Sequence, residues 1–465
     1  MNAIVVSALM GIILMFTGAF VKSKSVPRYL AIAGSVLLFV ANAHELVKGH
    51  PLLQINMHDM LITSSYSLGF LAVMIGALIL LFLLNGEDVE RVGENVGEYF
   101  ALIFFVMCGV AICATFNTLL FLFLGIEILS IPLYILTGSS KRNLLSVEAS
   151  LKYFLMGSFS TGILLLGIAM IYGGSPNASF YISNIIVENA STSVFIIIGL
   201  VLMLVAIAFK VSAAPFHFWA PDVYDGAPTV FTSFMSTIVK VAGFLAFIRL
   251  FENSFGSIHK DWQNLVVVIT IATLFIGNIT AIFQQSVKRM LAYSSIAQAG
   301  FMMLALFALN DRAKEGMVLY AAAYSIAVIG LFGIVSRMNE FTISDFNGLG
   351  KTHPVLAFTA TIFLLSLTGI PLTAGFQSKL YMLTSVVEHS NQIWLVIVAV
   401  LFSAISAYYY FRVIQAMYFK EPDMEEPVEF WNINGWFKFV LLLLASLTII
   451  IGIYPEWILG WLYYW

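Results

Sequence analysis

Hydrophobic residues occur along this chain in long runs, which short stretches with charge, glycine or proline separate. The runs rarely alternate apolar with polar residues, as the strands of a membrane barrel do over about 10 residues. About 20 apolar residues span the hydrocarbon core as a helix, and a helix satisfies its own backbone hydrogen bonds in lipid. The pattern therefore predicts an all-α polytopic membrane protein.

The runs are long enough for about 14 transmembrane helices. The twelfth run is too long for one crossing and contains Gly369 and Pro371 near its middle, so we expect two half-helices there. A second break is expected at Pro215, in the seventh helix. The predicted spans cover residues 3–21, 28–47, 66–85, 99–116, 118–138, 147–172, 193–214, 228–251, 263–283, 289–309, 316–338, 354–389, 393–418 and 436–460.

The two breaks lie five helices apart, which indicates an internal repeat. Broken helices in corresponding positions of two halves are typical of transporters, and a repeat unit of five helices must alternate its orientation in the membrane. We therefore predict two inverted repeats between flanking helices. The regions are helices 1–3 in residues 1–98, a first repeat (helices 4–8) in 99–252, an inverted repeat (helices 9–13) in 253–420, and helix 14 in 421–465.

Composition excludes several other classes of protein. The chain is 60% hydrophobic and 10% charged, whereas soluble domains have about 45–50% and about 25%. A mean hydropathy of +0.96 excludes a soluble enzyme with a single anchor helix. The net charge is −3 and no basic run exceeds a pair, which argues against nucleic-acid binding. Cys108 and Cys113 form no CxxC motif and His217 has no ligand partners at suitable spacing, so we expect no disulfide, iron–sulfur or metal site.

Charge in the loops predicts the orientation. Loops after odd-numbered helices hold twelve Lys and Arg residues, and loops after even-numbered helices hold four. Because basic loops remain in the cytoplasm, both termini should face the outer side. The acidic segment 86–98 is then a cytoplasmic loop.

Three lysines, Lys210, Lys240 and Lys379, lie several turns inside predicted spans. A charge near the bilayer centre costs about 2.5–3.5 kcal/mol, so these side chains must face the protein interior or water. Glu127 is the acid at comparable depth and the natural counter-ion. Lys152 lies nearer a helix end, with Glu148 four residues before it in the order that favours a helical ion pair.

These buried charges allow two interpretations. A structural ion pair would hold helices together, but one pair with Glu127 leaves two lysines unexplained. A proton relay needs buried amines that load and release a proton when a neighbouring charge moves. Lys210 comes five residues before Pro215 and Lys379 eight residues after Pro371. Helix breaks at such depth must line a wet cavity, which favours the relay.

Four segments of the sequence resemble the antiporter-like membrane subunits of respiratory complex I. They occur in the same order as in that family and span helices 4 to 13, and residues 219–229 are most like its N-type branch. The segments are SVEASLKYFLMGS (146–158), FKVSAAPFHFWAPDVYDGAPT (209–229), KRMLAYSSIAQAG (288–300) and GIPLTAGFQSK (369–379).

The resemblance implies a role for each buried charge. Glu127 would pair with Lys210, Lys240 would be the centre of the relay, and Lys379 would connect to the outlet. The family often has a histidine in helix 10 where this chain has Gln298. Glutamine cannot accept a proton at ordinary pH, so we expect water to complete the link, with Gln298 and Lys152 as further contributors.

We therefore expect a proton-translocating membrane-arm subunit of an NADH:quinone oxidoreductase, in a bacterial inner membrane and bound to other membrane-arm subunits as a hetero-oligomer. The chain has no cofactor-binding motif. Redox chemistry with NADH, FMN, iron–sulfur clusters and quinone would belong to partner subunits. Two alternatives remain open. One is a subunit of a multisubunit sodium/proton antiporter or membrane-bound hydrogenase. The other is a non-pumping structural subunit whose lysines pair with acids of its neighbours.

Overall fold

The computed structural model describes residues 1–52, 57–175, 179–185, 193–389, 392–421 and 430–463, and these residues form helices without a regular strand. The helices are α1 (Asn2–Phe20), α2 (Ser25–Lys48), α3 (Ser65–Val92), α4 (Val96–Thr115), α5 (Leu119–Thr137), α6 (Leu144–Gly174), α7 (Val194–Lys210), α8 (Trp219–Gly226), α9 (Thr229–Phe234), α10 (Lys240–Phe255), α11 (His259–Ile282), α12 (Val287–Ala308), α13 (Asp311–Val335), α14 (Leu349–Thr352), α15 (Pro354–Thr368), α16 (Ala374–His389), α17 (Ile393–Phe419), α18 (Gly435–Ile453) and α19 (Glu456–Tyr463).

Eleven helical segments among the described residues are long and apolar enough to cross a membrane. One of them, Thr229–Ile282, contains α9, α10 and α11, and the shorter α7 and α15 are apolar as well. The predicted all-α, multi-pass class is confirmed. The number of fourteen crossings and the inverted repeat stay predictions.

Both expected helix breaks are present in the structure. Irregular backbone at residues 211–218 separates α7 from α8, and residues 369–373 separate α15 from α16. At the second break Gly369 has a φ of +90°, the left-handed conformation that favours glycine. Pro371 follows and has no N–H for the carbonyl four residues earlier. The helix therefore stops in the middle of the predicted span.

Helices α12 and α13 form the centre of the bundle. In the most apolar 18 residues of each helix, 94% of the residues of α12 and 100% of those of α13 are buried, compared with 28% for the peripheral α17. Helix α13 packs against α3, α15, α16 and α18, and α12 packs against α8, α11 and α16. The side chains of α12 and α13 are thus shielded from lipid, which lets polar groups occupy this centre.

The predicted extent of the acidic loop 86–98 is wrong. Helix α3 continues to Val92 and α4 begins at Val96. The acids at the end of α3 have cationic partners: Asp88 lies 3.5 Å from Arg337 Nε, and Glu87 lies 3.2 Å from Arg28 Nη1. These pairs neutralise the acids, so the helix extends past the apolar run.

Two predicted spans also differ from the structure at their ends. The predicted span 193–214 contains one helix, α7, which ends four residues early at Lys210. The second half-helix, α8, lies beyond the predicted span, since it is short and carries acids at Asp222 and Asp225. The span 436–460 is divided at Pro455, which separates α18 from α19. A proline lacks the donor that a continuing helix needs.

Candidate functional site

Lys240 lies at the first residue of α10, directly after a π-helical turn at Met235–Val239. Such turns occur mostly as single insertions and are frequent at functional sites. The lysine side chain is 1% exposed. Its Nζ donates to the carbonyl oxygen of Ser295, 3.0 Å away, and to the Ser295 hydroxyl. The Tyr224 ring centroid lies 5.6 Å from the same nitrogen. The amine of Lys240 is therefore enclosed by α12 and α8.

Lys379 lies on α16 and returns to the end of the preceding half-helix. Its Nζ donates to the carbonyl oxygens of Leu367 and Thr368, each at 2.9 Å, and to Ser403 Oγ at 3.1 Å. Leu367 and Thr368 lie in the last turn of α15, where carbonyl groups have no helical N–H donor. Gly369 gives the side chain room, since a Cβ there would lie 2.9 Å from Lys379 Cδ. The break thus supplies the ligands of this lysine.

Lys210 is the last residue of α7, at the first break. Its Nζ donates to Ser130 Oγ at 2.8 Å, and Ser130 Oγ donates to the carbonyl oxygen of Ile126 at 2.5 Å. A small cavity of about 20 Å³, enough space for a single water molecule, adjoins Lys210 and extends to Val239 and Gly243 on the side of Lys240.

Glu127 lies on α5, almost one turn before Ser130, and is half-buried. Neither it nor Lys210 forms an ion pair in the part of the chain that the structure describes. The ammonium group of Lys210 contacts Ser130 instead. Glu127 is partly accessible from outside the bundle, whereas Lys240 and Lys379 are not.

Lys152 forms the helical ion pair that its spacing predicts, with Nζ 2.8 Å from Glu148 Oε1. The same nitrogen lies 2.8 Å from Asp222 Oδ2 on α8, and Arg289 of α12 lies 3.0 Å from Asp222 Oδ1. The buried Lys288 donates to the carbonyl oxygens of residues 225 and 227, each at 2.7 Å. These contacts attach the second half-helix to α6 and α12. Sequence reasoning did not find Asp222 as the shared partner of two cations.

Gln298 lies between the two central lysines and has hydrogen bonds on both ends of its amide. Its Nε2 donates to the carbonyl oxygen of Leu367 at 3.0 Å and to the Tyr410 hydroxyl at 3.2 Å. The Tyr320 hydroxyl donates to its Oε1. Leu367 is therefore a common neighbour of Gln298 and Lys379. The tyrosines were missed because a tyrosine in an apolar run has the pattern of a packing residue.

Arg249, near the end of α10, binds main-chain carbonyl groups. It donates from Nε to Phe116 O at 2.7 Å and from Nη2 to Ile62 O at 3.0 Å. This guanidinium ties the end of α4 to the segment before α3.

The arrangement brings Lys240, Gln298 and Lys379 into one polar zone inside α8, α12, α13, α15 and α16. Within the described residues none of the three deep lysines forms an ion pair. Their ligands are hydroxyl and carbonyl oxygens, which accept hydrogen bonds from an amine and from an ammonium group alike. The described residues contain no cluster of three or more His, Cys, Asp or Glu side chains that would hold a metal.

Comparison with known proteins gives a consistent result. A family model described as NADH:quinone oxidoreductase/Mrp antiporter, TM, matches residues 117–406. The NADH-quinone oxidoreductase subunit N of Cytophaga hutchinsonii is 42% identical over 405 residues, which are 86% of this chain and 87% of that protein. Its counterpart in Trichlorobacter lovleyi is 37% identical over 462 residues, 98% of this chain and 94% of that protein. A chain of respiratory complex I from Thermus thermophilus with bound aureothin has a TM-score of 0.84 and 27% identity, over 98% of both chains.

Proposed function

This chain belongs to the NADH:quinone oxidoreductase/Mrp antiporter family of membrane proteins, and we propose that it is the proton-translocating, N-type membrane-arm subunit of a bacterial NADH:quinone oxidoreductase. Two relatives that align over most of their length bear the name of that subunit. Redox chemistry with NADH, FMN, iron–sulfur clusters and quinone takes place in partner subunits, and this chain moves protons in response to it.

One observation carries the proposal: the deep lysines have oxygen ligands, and within the described residues none of them has a carboxylate within 4 Å. A buried ion pair that only holds helices together needs both charges. An amine held by neutral oxygens alone can change its protonation state without leaving another buried charge unpaired. Lys210, Lys240 and Lys379 are thus suited to carry a proton.

The mechanism is electrostatic. Charges interact more strongly inside the protein than in water, so a charge that arrives at the half-buried Glu127 alters the proton affinity of Lys210. Protonation of Lys210 in turn alters the proton affinity of Lys240, and then of Lys379, on the route to the outlet. Lys152 of α6 contacts Asp222 in the first turn of α8 and stabilises the second half-helix beside this path.

The same premise places the chain in its membrane. As a subunit of a bacterial respiratory enzyme, the chain lies in the inner membrane. The excess of basic residues in alternate loops indicates that both termini face the outer side. Residues 99–252 and 253–420 are the two inverted repeats, flanked by helices 1–3 in 1–98 and helix 14 in 421–465. Other membrane-arm subunits are the partners.

A related candidate is the equivalent subunit of an Mrp-type antiporter, because the matching family description includes those proteins. Subunits that copurify with the chain distinguish the two: flavin and iron–sulfur subunits support the oxidoreductase, and antiporter companions support the alternative. A scaffold whose lysines pair with acids of neighbouring subunits is disfavoured. Lys240 and Lys379 are 1% and 6% exposed, so such acids cannot reach them.

The test is a Lys240→Met variant in the assembled complex, reconstituted in vesicles. Protons translocated per electron are measured with a pH-indicator dye during NADH-driven quinone reduction. Methionine retains an unbranched side chain but cannot hold a proton, so we expect this ratio to fall. Lys22→Met, at an exposed lysine, is the matched control and should leave the ratio unchanged. An unaltered ratio in assembled Lys240→Met contradicts the relay.

A further inference from the structure

The relay needs a connection between Lys240 and Lys379, whose amines share no hydrogen-bond partner. That connection presupposes the proposed function. Gln298 lies in the gap, but an amide holds its protons too firmly to pass them on. A proton must therefore cross by groups that can both accept and donate.

A small cavity lies beside Lys379, on the side of α12 and α13. It has a volume of about 10 Å³ and is lined by Gln298, Tyr320, Tyr324, Ser378 and Lys379, among others. A cavity of that size has room for about one water molecule when several polar groups surround it. The cavity therefore has both the size and the polar lining of a water site.

Tyr324 provides a second, independent observation. Its side chain is 2% exposed, and within the described residues its buried hydroxyl oxygen has no hydrogen bond of 3.5 Å or less. Buried hydroxyl groups in folded proteins almost always have a partner, from the protein or from water. Tyr324 lines the cavity, so a water molecule held there would be a partner for its hydroxyl.

Tyr324 also adjoins the other lysine. It lies next to Ser295, whose hydroxyl receives the hydrogen bond from Lys240 Nζ. Ser295, Tyr324 and the cavity thus form a continuous line of hydroxyl groups from α10 to α16. Serine and tyrosine hydroxyls each donate one proton and accept others, as a relay requires.

We propose that the proton passes from Lys240 to Lys379 through the hydroxyl groups of Ser295 and Tyr324 and one water molecule in this cavity. Lys240 gives a proton to Ser295 Oγ, the Ser295 hydroxyl proton moves to Tyr324, and the Tyr324 proton moves to water. The water gives a proton to the neutral amine of Lys379. Each oxygen ends with the number of protons it had, and one positive charge has moved between the two nitrogens.

Gln298 is a positioning residue in this scheme. The hydroxyl of Tyr320 and the carbonyl of Leu367 hold its amide at the wall of the cavity. A second chain of hydrogen bonds runs beside it: Ser294 Oγ lies 2.5 Å from the Tyr410 hydroxyl, which accepts from Gln298 Nε2 at 3.2 Å. This chain ends at the amide nitrogen and cannot continue as a proton path. Tyr410 therefore orients Gln298 and does not carry protons.

The decisive variant is Tyr324→Phe in the assembled complex, because it removes one oxygen and preserves the ring. We expect protons translocated per electron to fall as far as in Lys240→Met. Tyr66→Phe is the matched control: this tyrosine at the start of α3 also has a buried hydroxyl without a hydrogen bond in the described structure, away from the path, and its loss should leave the ratio unchanged. Gln298→His in the Tyr324→Phe background places a titratable ring at the cavity wall and should restore part of the ratio.

The outcomes separate this link from the wider function. If Lys240→Met loses pumping and Tyr324→Phe retains it, the relay stands and this link is overturned. If both retain pumping, the proposed function fails as well. Should Tyr324→Phe not assemble, Ser295→Ala interrupts the same line one step earlier and decides the matter by the same ratio. A normal ratio in assembled Ser295→Ala overturns the link.

Discussion

Lys379 Nζ donates to the carbonyl oxygen of Leu367 at 2.9 Å, an oxygen in the last turn of α15 that has no helical N–H donor. The lysine and the helix break are thus one structural unit. Burial alone explains neither of them, since an unbroken helix would offer the ammonium group no free carbonyl at this depth.

Restoring the missing donor should weaken this unit. In Pro371→Ala the helix is no longer barred from continuing at residue 371, so α15 can extend and the new N–H can compete with Lys379 for the Leu367 oxygen. A single hydrogen bond contributes about 0.5–1.5 kcal/mol net, so we expect about a 2- to 10-fold lower rate of proton translocation in the assembled complex. Pro354→Ala is the control, because Pro354 is the first residue of α15, where no helical N–H is required. Equal rates in the two variants would contradict this role of the break.

A milder effect is expected at the first break. Ser130 Oγ accepts the hydrogen bond of Lys210 at 2.8 Å, so Ser130→Ala leaves a partly buried ammonium group with one partner fewer. We expect proton translocation to slow by about 2- to 10-fold on the same energetic argument, with assembly preserved. The control is Ser35→Ala, at a buried serine whose hydroxyl bonds the carbonyl of Ile32 in its own helix. If Ser130→Ala behaves like Ser35→Ala in vesicles, Lys210 does not depend on this contact.

The main features of the fold follow from the sequence because lipid requires long apolar helices. Predicted spans such as 3–21 and 393–418 differ by one residue at their ends from α1 and α17. The deep lysines stand out for the same reason, since a charge inside an apolar run is costly wherever it occurs.

What the sequence did not reveal depends on contacts between distant segments. The acids at the end of α3 are predicted as a loop because their partner Arg337 is about 250 residues away and unidentifiable from periodicity. Tyr324 and Tyr410 have the same pattern as packing aromatics in any apolar helix. Only the three-dimensional structure shows their hydroxyl groups beside Ser295 and Gln298.

The buried pair at the end of α3 should matter for stability. Arg337 is 1% exposed, lies 3.5 Å from Asp88, and has the Trp431 ring centroid 3.9 Å from its guanidinium carbon. Arg337→Met leaves Asp88 as an unpaired buried charge, which costs about 3–5 kcal/mol. We expect a marked loss of assembled complex and a lower unfolding temperature in detergent.

Two further variants check that interpretation of Arg337. Arg91→Met removes an exposed arginine that stacks on the same Trp431 ring at 3.6 Å, and such a contact is worth about 0.5–1 kcal/mol. It should therefore change the unfolding temperature little. The double variant Asp88→Asn with Arg337→Met removes both charges and should recover part of the loss. If the double variant is no more stable than Arg337→Met alone, the unpaired carboxylate is not the cause.

The charged contacts of α8 give a prediction that can be tested by charge exchange. Asp222 contacts Lys152 at 2.8 Å and Arg289 at 3.0 Å, and all three side chains are about one-third to two-fifths exposed. Asp222→Arg places like charges together and should lower the unfolding temperature. Asp222→Arg combined with Arg289→Asp rebuilds the pair in reverse and should recover part of that loss. In double-mutant cycles, contacting residues show coupling energies of about 0.5–3 kcal/mol. If the effects of the two changes on stability are purely additive, this pair does not hold α8 against α12.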